Sequence, residues 1–195
     1  MTEKTGERKD QILQTLAQML ENPTGEKATT AALAARIKVS EAALYRHFKG
    51  KAEMFEGLIE FIEQTLFGLI NKITSEEKSG VRQVEGIIAV LLAFAQKNRG
   101  MTRVLIGDAL VNEHDRLQLR INQLHDRLEA ALKQALRFGV SQQEIAQDVD
   151  IAAQANLLMS FITGRWHQFA KSGFKRDPVE LWPKQWRQLM EGVIA

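Results

Sequence analysis

The sequence predicts an all-α fold of about nine helices, and three observations support that prediction. Apolar residues recur at helical spacing in one segment after another. No segment shows the strict alternation of apolar and polar residues that indicates a strand. Hydrophobic residues make up 45% of the 195 residues, which is enough for a core of moderate size. We expect either one compact helical unit or a small module packed on a larger one.

The first helix is amphipathic and is expected to pack on the segment that follows it. It begins near Arg8 and Lys9 and ends at a turn signal, Asn22-Pro23-Thr24-Gly25. Its apolar residues follow the helical period and are Ile12, Leu13, Leu16, Ala17 and Leu20.

Residues 29–51 predict two short helices that meet at a tight turn, which is a helix-turn-helix. Thr29 or Thr30 can cap the first helix and Ser40 the second, because a side-chain hydroxyl accepts a hydrogen bond from a free N–H in the first turn. Gly50 is expected to end the second helix in the left-handed conformation. Apolar residues four positions apart give the two helices faces that meet, Leu33 and Ile37 on the first and Leu44 and Phe48 on the second.

The outer side of the second short helix combines small and polar residues with positive charge. Between Lys27 and Lys51, six Lys or Arg residues stand against one acid, Glu41, and this local excess suits a polyanion such as DNA. The net charge of the whole chain is only +2, so the signal is local. The alternative is an ordinary helical hairpin with a solvated basic face. The residues expected on the outer side are Ala42, Ala43, Tyr45, Arg46 and His47.

Six further helices are expected after residue 50. Helix 4 carries an apolar stripe that includes Leu66, Leu69 and Ile70, and helix 5 is apolar nearly all round at 87–94, which predicts central core. Gly139 is expected to end helix 7, and 98–100 to form a loop. The expected bounds are 51–73, 81–97, 101–111, 113–138, 148 or 150 to 171, and a last helix that starts at Asp177-Pro178.

Helices 7 and 8 carry patterns that suit contacts with other helices. Apolar residues of helix 7 repeat at alternating spacings of four and three, which indicates a coiled-coil-like contact or a helix of an ordinary bundle. Helix 8 places small residues beside its apolar stripe, so a second helix can approach closely and this helix is a candidate dimer surface. The helix 7 residues are Leu117, Ile121, Leu124, Leu128, Ala131 and Ala135, widened by Leu119, Leu132 and Leu136; the small helix 8 residues are Ala152, Ser160 and Gly164.

No motif in the sequence indicates a catalytic site. Gly-rich phosphate loops, nucleophile elbows and paired metal-binding histidines are absent. Glu113-His114-Asp115 is a poor chelate because adjacent helix residues point in different directions, so we expect no metal site and no cofactor. The chain has no cysteine, no signal-peptide pattern and no apolar run long enough for a transmembrane helix. We therefore expect a cytoplasmic, non-enzymatic protein.

The segment Leu44-Tyr45-Arg46-His47-Phe48, followed by Gly50-Lys51, closely resembles the helix-turn-helix signature of TetR-type regulators. The turn position that often holds Gly in that family is Lys38 here, and a non-Gly residue with positive φ is uncommon and strained. The resemblance implies a three-helix DNA-binding domain at 1–50 and a helical dimerisation and partner-binding domain at 51–195. It also implies a homodimer, paired through helices 8 and 9, whose recognition helices lie about 34 Å apart on a palindromic site.

Further stretches resemble one nucleoid-occlusion subgroup of the TetR-type proteins, notably 58–63, 102–105, 115–118 and 120–124. Such proteins bind palindromic sites spread over the chromosome and, when DNA-bound, antagonise polymers of the tubulin-like division protein FtsZ. The resemblance thus implies a nucleoid-associated inhibitor of Z-ring assembly. The alternatives are a ligand-responsive TetR-type transcriptional repressor and a helical interaction module that does not bind DNA.

Two sets of residues are expected to carry these contacts. Base edges are expected to meet Ala42, Ala43 and His47, while phosphates meet Thr29, Thr30, Tyr45, Lys49 and Lys51, with Ser40 and Arg46 on the same surface. FtsZ is expected to meet Asn71, Lys97, Asn98, Arg99 and Arg103 through its acidic tail or its body. In the alternatives, His47 is a packing residue at the helix end, and Lys97 and Arg99 belong to an ordinary solvated loop.

Overall fold

The computed structural model of the protein describes residues 2–22 and 28–195. Within these ranges the all-α prediction is confirmed, because the described residues form helices and no β-strand. An isolated bridge pairs Ile145 with Ile194. The predicted turn at Pro23-Thr24-Gly25 lies outside the described residues, as does Lys27. The helices of the described part are α1 (Thr2–Leu20), α2 (Thr30–Arg36), α3 (Glu41–Tyr45), α4 (Lys51–Glu76), α5 (Gly80–Lys97), α6 (Arg99–Leu105), a 3-10 helix (Asp108–Leu110), α7 (Asp115–Ser141), α8 (Ile151–Lys171) and α9 (Trp182–Leu189).

The chain forms two compact units. The first combines the residues up to Ile62 with Asn98–Ile121, and the second combines Glu63–Lys97 with Asn122–Ala195. The helix-turn-helix therefore belongs to the first unit, while α8 and α9 belong to the second. None of the helices in the described part of the chain has both the length and the apolar character that a bilayer span requires.

The first unit packs α1 against α6 through a glycine. A Cβ atom at Gly100 would stand 1.9 Å from the carbonyl oxygen of Ala17, so only glycine allows the first turn of α6 to lie on α1. The predicted loop at 98–100 is thus partly wrong, because α6 already begins at Arg99. The helix is also shorter than predicted, since Gly107 adopts a φ of 76° and a 3-10 turn follows it.

In the second unit, two glycines allow α5 and α7 to approach each other closely. A Cβ atom at Gly80 would stand 2.1 Å from the backbone nitrogen of Gly139, so α5 begins directly against the backbone of α7. The prediction that Gly139 ends helix 7 is wrong, because α7 continues to Ser141. Gly139 serves close packing here rather than helix termination. The apolar run of α5 is core as predicted, and the indole nitrogen of Trp166 in α8 donates to the carbonyl oxygen of Leu91 at 3.1 Å.

The apolar seam of α7 is buried within the chain itself, as in an ordinary bundle, except that Ala131 is only half-buried. Leu119 and Leu69 were wrongly assigned to the buried stripes. Leu119 is 61% exposed, because it follows Leu117 by two positions and so lies on the opposite side of the helix. Leu69 is 40% exposed, because the buried stripe of α4 passes from Leu66 to Ile70. The buried seam residues are Leu117, Ile121, Leu124, Leu128, Leu132, Ala135 and Leu136.

The last helix begins later than predicted. Asp177 and Pro178 do not start α9, because both of their carbonyl oxygens accept hydrogen bonds from the buried side chain of Arg165. The Asp177 carboxylate also accepts from the backbone N–H of Val179 at 2.9 Å, which holds this segment as a turn. α9 then starts at Trp182, and Leu181 before it is exposed.

Candidate nucleic-acid interface

Two hydroxyl caps fix the starts of the paired short helices. The Thr29 side chain accepts from the backbone N–H of Ala32 at 3.2 Å, and the Ser40 side chain accepts from that of Ala43 at 3.3 Å. Both predicted caps are confirmed, with Thr29 rather than Thr30 at the start of α2. The Thr30 hydroxyl instead donates to the Glu41 carboxylate at 2.8 Å, which ties the start of α2 to the start of α3.

The turn between α2 and α3 is closed around Lys38. Its φ is 57°, as the strain argument from the sequence anticipated. The backbone N–H of Lys38 donates to the carbonyl of Ala35 at 3.1 Å, and that of Val39 donates to the carbonyl of Ala34 at 3.0 Å. This pair of bonds is a Schellman motif, in which glycine is the usual left-handed residue. The turn therefore keeps its geometry despite a side chain that disfavours it.

The second short helix ends earlier than predicted. α3 stops at Tyr45, and the expected left-handed end at Gly50 is wrong. Gly50 instead precedes α4, where its carbonyl accepts from the N–H of Met54 at 3.3 Å. The carboxylate of Glu53 accepts from the backbone N–H of Lys49, which satisfies a donor ahead of the first turn of α4. Residues 46–49 thus form a compact link in which Arg46 and Lys49 are exposed and Phe48 is buried.

The structure brings most of the predicted DNA-binding residues together on one exposed face. Ala42, Tyr45, Arg46 and Lys49 are exposed, and Tyr45 is 47% exposed although it is a large aromatic residue. Ala43 is half-buried beneath them. Lys9 of α1 adds a further cation, since its ammonium stands 5.4 Å from the ring centroid of Phe48. A face of this kind offers donors for phosphates around small residues that permit close approach to bases.

His47 and Lys51, two further predicted DNA-binding residues, are less available than the exposed set. His47 is half-buried, and its Nδ1 atom is sequestered without a hydrogen-bond partner in the described part of the chain. Lys51 forms an ion pair with Glu113, and its ammonium also stands 5.6 Å from the ring centroid of Phe55. Sequence reasoning did not find the Lys51–Glu113 pair, because the two residues lie 62 positions apart.

The residues predicted to meet FtsZ are divided between the two units. Asn71 and Lys97 are exposed in the second unit, at α4 and the last turn of α5. Arg99 is exposed at the start of α6, and Asn98 is the half-buried residue before that helix. Arg103 has a structural role, since it donates to the Asp108 carboxylate at 2.6 Å and to the carbonyl of Leu20 at 3.1 Å.

One face of α8 carries apolar and small residues without a covering element in its own unit. Leu157 is 49% exposed, and Ala153, Ser160 and Gly164 are exposed at helical spacing on the same side. In contrast, the opposite side of α8 is fully buried at Leu158, Ile162 and Trp166. Of the small residues predicted to permit a close helix contact, Ser160 and Gly164 lie on this face. Ala152 is exposed but lies off it, and Ala153 occupies the corresponding position.

No group of three or more His, Cys, Asp or Glu residues in the described ranges is arranged to hold a metal ion. In the cluster at 113–115, Glu113 pairs with Lys51 and the Nδ1 atom of His114 accepts from the backbone N–H of Arg116 at 3.3 Å.

Comparisons with known proteins cover the whole chain. Residues 25–58 match the model of bacterial regulatory proteins of the tetR family, and residues 78–193 match the SlmA-like tetracyclin repressor-like C-terminal domain. The nucleoid occlusion factor SlmA of Marinomonas sp. is 47% identical over 100% of this chain and 98% of its own length. Those of Idiomarina loihiensis and Alteromonas mediterranea are 48% and 51% identical, over 100% and 94% of both chains.

Solved structures share the fold at much lower identity. A TetR transcription regulator from Haloarcula marismortui superposes with a TM-score of 0.81 at 15% identity, over 97% of this chain and 100% of the other. The regulator FadR from Bacillus subtilis, solved in complex with stearoyl-CoA, gives 0.76 at 16% identity, over 93% and 97%. These likenesses concern the fold alone. The family models and the full-length relatives show that the chain belongs to the TetR family of DNA-binding regulators and, within it, to the nucleoid occlusion factors named SlmA.

Proposed function

We propose that the protein binds palindromic chromosomal sites as a homodimer and, when bound, inhibits the assembly of FtsZ polymers and the Z-ring over the nucleoid. The observation that carries the proposal is the full-length similarity to nucleoid occlusion factors, in a chain whose helix-turn-helix exposes a basic face. The protein would accordingly act in the cytoplasm, associated with the nucleoid.

The DNA contacts follow from the exposed face of α3. Tyr45, Arg46 and Lys49 reach phosphates, while Ala42 and the half-buried Ala43 allow the helix to approach base edges. The hydroxyls of Thr29 and Ser40 accept backbone hydrogen bonds as caps, and each can still donate its own proton to a phosphate oxygen. His47 contributes one edge of its ring, since the other nitrogen is buried.

The homodimer is supported by the exposed face of α8. A second copy of the same face would cover Leu157 with another apolar side chain, and Ser160 and Gly164 would let the two helices approach closely. Leu181, directly before α9, would also contribute, since it is exposed beside the buried tryptophans of the same unit. One helix-turn-helix reads a half-site, so two-fold pairing is what a palindromic site requires.

FtsZ recognition is supported by exposed cations at the end of α5 and the start of α6. Lys97, in the second unit, and Arg99, in the first, are each exposed, and each would attract the acidic tail of FtsZ. Arg103 would position this segment through its bonds to Asp108 and Leu20 rather than contact the partner.

Sedimentation of FtsZ polymers tests the proposal. Polymers would be pelleted with the protein alone and with the protein bound to a palindromic duplex selected from random sequences. We expect the duplex-bound protein to reduce the pelleted FtsZ most. Lys97→Glu should lose this effect while retaining duplex binding, because it reverses an exposed charge far in the sequence from α3.

Arg82→Glu is the matched control, since it reverses an exposed cation at the other end of the same helix and should behave like the unmodified protein. If the protein does not change the amount of pelleted FtsZ, with or without the duplex, the nucleoid-occlusion function is wrong. A ligand-responsive repressor would then be the favoured function.

A further inference from the structure

A groove of about 360 Å³ runs between α4 and α7 within the second unit. The apolar part of its lining includes Ile70, which is buried, and Ala131. Three cations also line it, Arg127, Lys133 and Arg137, and none of the lining residues in the described part of the chain is acidic. The groove therefore joins an apolar surface to a positively charged edge.

Two of these cations are held in place by neighbouring acids. The guanidinium of Arg127 stands 4.1 Å from the ring centroid of Phe67, and one of its nitrogens lies 3.4 Å from the Glu63 carboxylate. The ammonium of Lys133 lies 2.6 Å from the Glu129 carboxylate, and this hydrogen bond lowers the pKa of Glu129. Both cations keep further N–H donors beyond these contacts.

The third cation is uncompensated. Arg137 is exposed and makes no hydrogen bond or ion pair with any described residue, so all five of its N–H donors are available. Gln134, one turn earlier on the same side of α7, is exposed and likewise makes no side-chain hydrogen bond in the described structure. The α7 edge of the groove therefore carries net positive charge together with free amide and guanidinium donors.

The spacing of the cations sets the size of an occupant. Arg137 follows Arg127 by ten positions, which is about 15 Å along a helix. An extended peptide covers that distance with about four or five residues. We propose that this groove binds a short acidic peptide segment of a partner protein, with one carboxylate at Arg127, one at Arg137, and an apolar side chain between them against Ile70 and Ala131.

The proposal goes beyond the DNA and FtsZ contacts described above, although Asn71 also lines the groove. It is tested with a peptide and not with FtsZ polymers, so its failure and the failure of the proposed function are separate results.

The probe is a fluorescein-labelled, acetylated peptide of about ten residues. It carries two glutamates about four residues apart, to match the distance between Arg127 and Arg137, and a leucine between them. Fluorescence anisotropy at low ionic strength should show saturable binding to the full-length protein. Arg137→Glu should weaken it at least about tenfold, because a charge-assisted hydrogen bond is replaced by repulsion. Ala131→Phe should also abolish binding, because its ring would fill the apolar part of the groove without changing the charge.

Arg82→Glu on α5 is the control for a charge reversal at a residue that does not line the groove, and it should weaken binding much less than Arg137→Glu does. A second peptide with lysines in place of the glutamates should not bind. Circular dichroism and duplex binding establish that each variant is folded. Absence of saturable binding, equal binding of the lysine peptide, or unchanged binding by Arg137→Glu and Ala131→Phe would overturn the proposal.

Discussion

The helix-turn-helix and the core of the second unit are specified by different kinds of interaction. Hydroxyl caps, a Schellman turn and the Thr30–Glu41 bond fix α2 and α3, which bury few side chains of their own. The second unit is fixed by packing, with α5 fully buried at Ile87 and Ile88 and two glycine backbones in direct contact. Local polar bonds therefore leave side chains free to contact a ligand, while close packing uses side chains for stability.

Gly80→Ala should have the largest effect, because it adds a Cβ atom where the backbone of Gly139 already lies. The helices must separate, which should lower the free energy of unfolding by about 3 kcal/mol. Urea unfolding followed by circular dichroism measures the change.

Gly68→Ala is the matched control, since Gly68 is an exposed residue in α4 and a Cβ atom there meets nothing within 4 Å. It should raise the stability by up to about 1 kcal/mol, as expected for alanine in a helix. Equal effects of the two substitutions would contradict the role of packing at Gly80.

Glu113→Gln should have the next largest effect, in the first unit. It frees the Lys51 ammonium from its ion pair, so Lys51 becomes available to a DNA phosphate. We expect the affinity for a palindromic duplex to rise about fivefold at low salt, in line with a partly exposed pair worth about 1 kcal/mol. Electrophoretic mobility shifts over a salt series measure the change.

A double-mutant cycle distinguishes release of Lys51 from the general effect of removing a negative charge. In a Lys51→Met background, Glu113→Gln should give little further gain in affinity. A gain of the same size with and without Lys51 would show that the ion pair does not compete with DNA.

The contrast also explains which features could be predicted from the sequence. The caps at Thr29 and Ser40 and the strained position of Lys38 depend on residues within four or five positions, so their pattern is visible in the chain. The Lys51–Glu113 pair and the Gly80–Gly139 contact join residues about sixty positions apart, and no local pattern encodes them.

Errors in the predicted surface have the same origin. Leu119 is an exception, because the period of α7 that correctly identified the buried seam already places Leu119 on the opposite side of the helix. Arg103 was predicted to meet a partner protein because one of its internal acceptors, the Leu20 carbonyl, lies 83 positions away and is brought to it by the packing of α6 on α1. A cation in a sequence therefore predicts a contact surface only after its internal partners are known.

Lys38→Gly should have the smallest effect and tests whether local bonds alone hold the turn. Glycine removes the strain of a Cβ atom at a φ of 57°, and its greater freedom in the unfolded chain offsets part of the gain. The net increase in the free energy of unfolding should be about 0.5 kcal/mol. Lys38→Ala removes the same charge but keeps the Cβ atom, so it should leave the stability unchanged. If Lys38→Gly were no more stable than Lys38→Ala, packing around the turn would have to offset the strain of the left-handed residue. The helix-turn-helix would then be maintained by packing, as the second unit is.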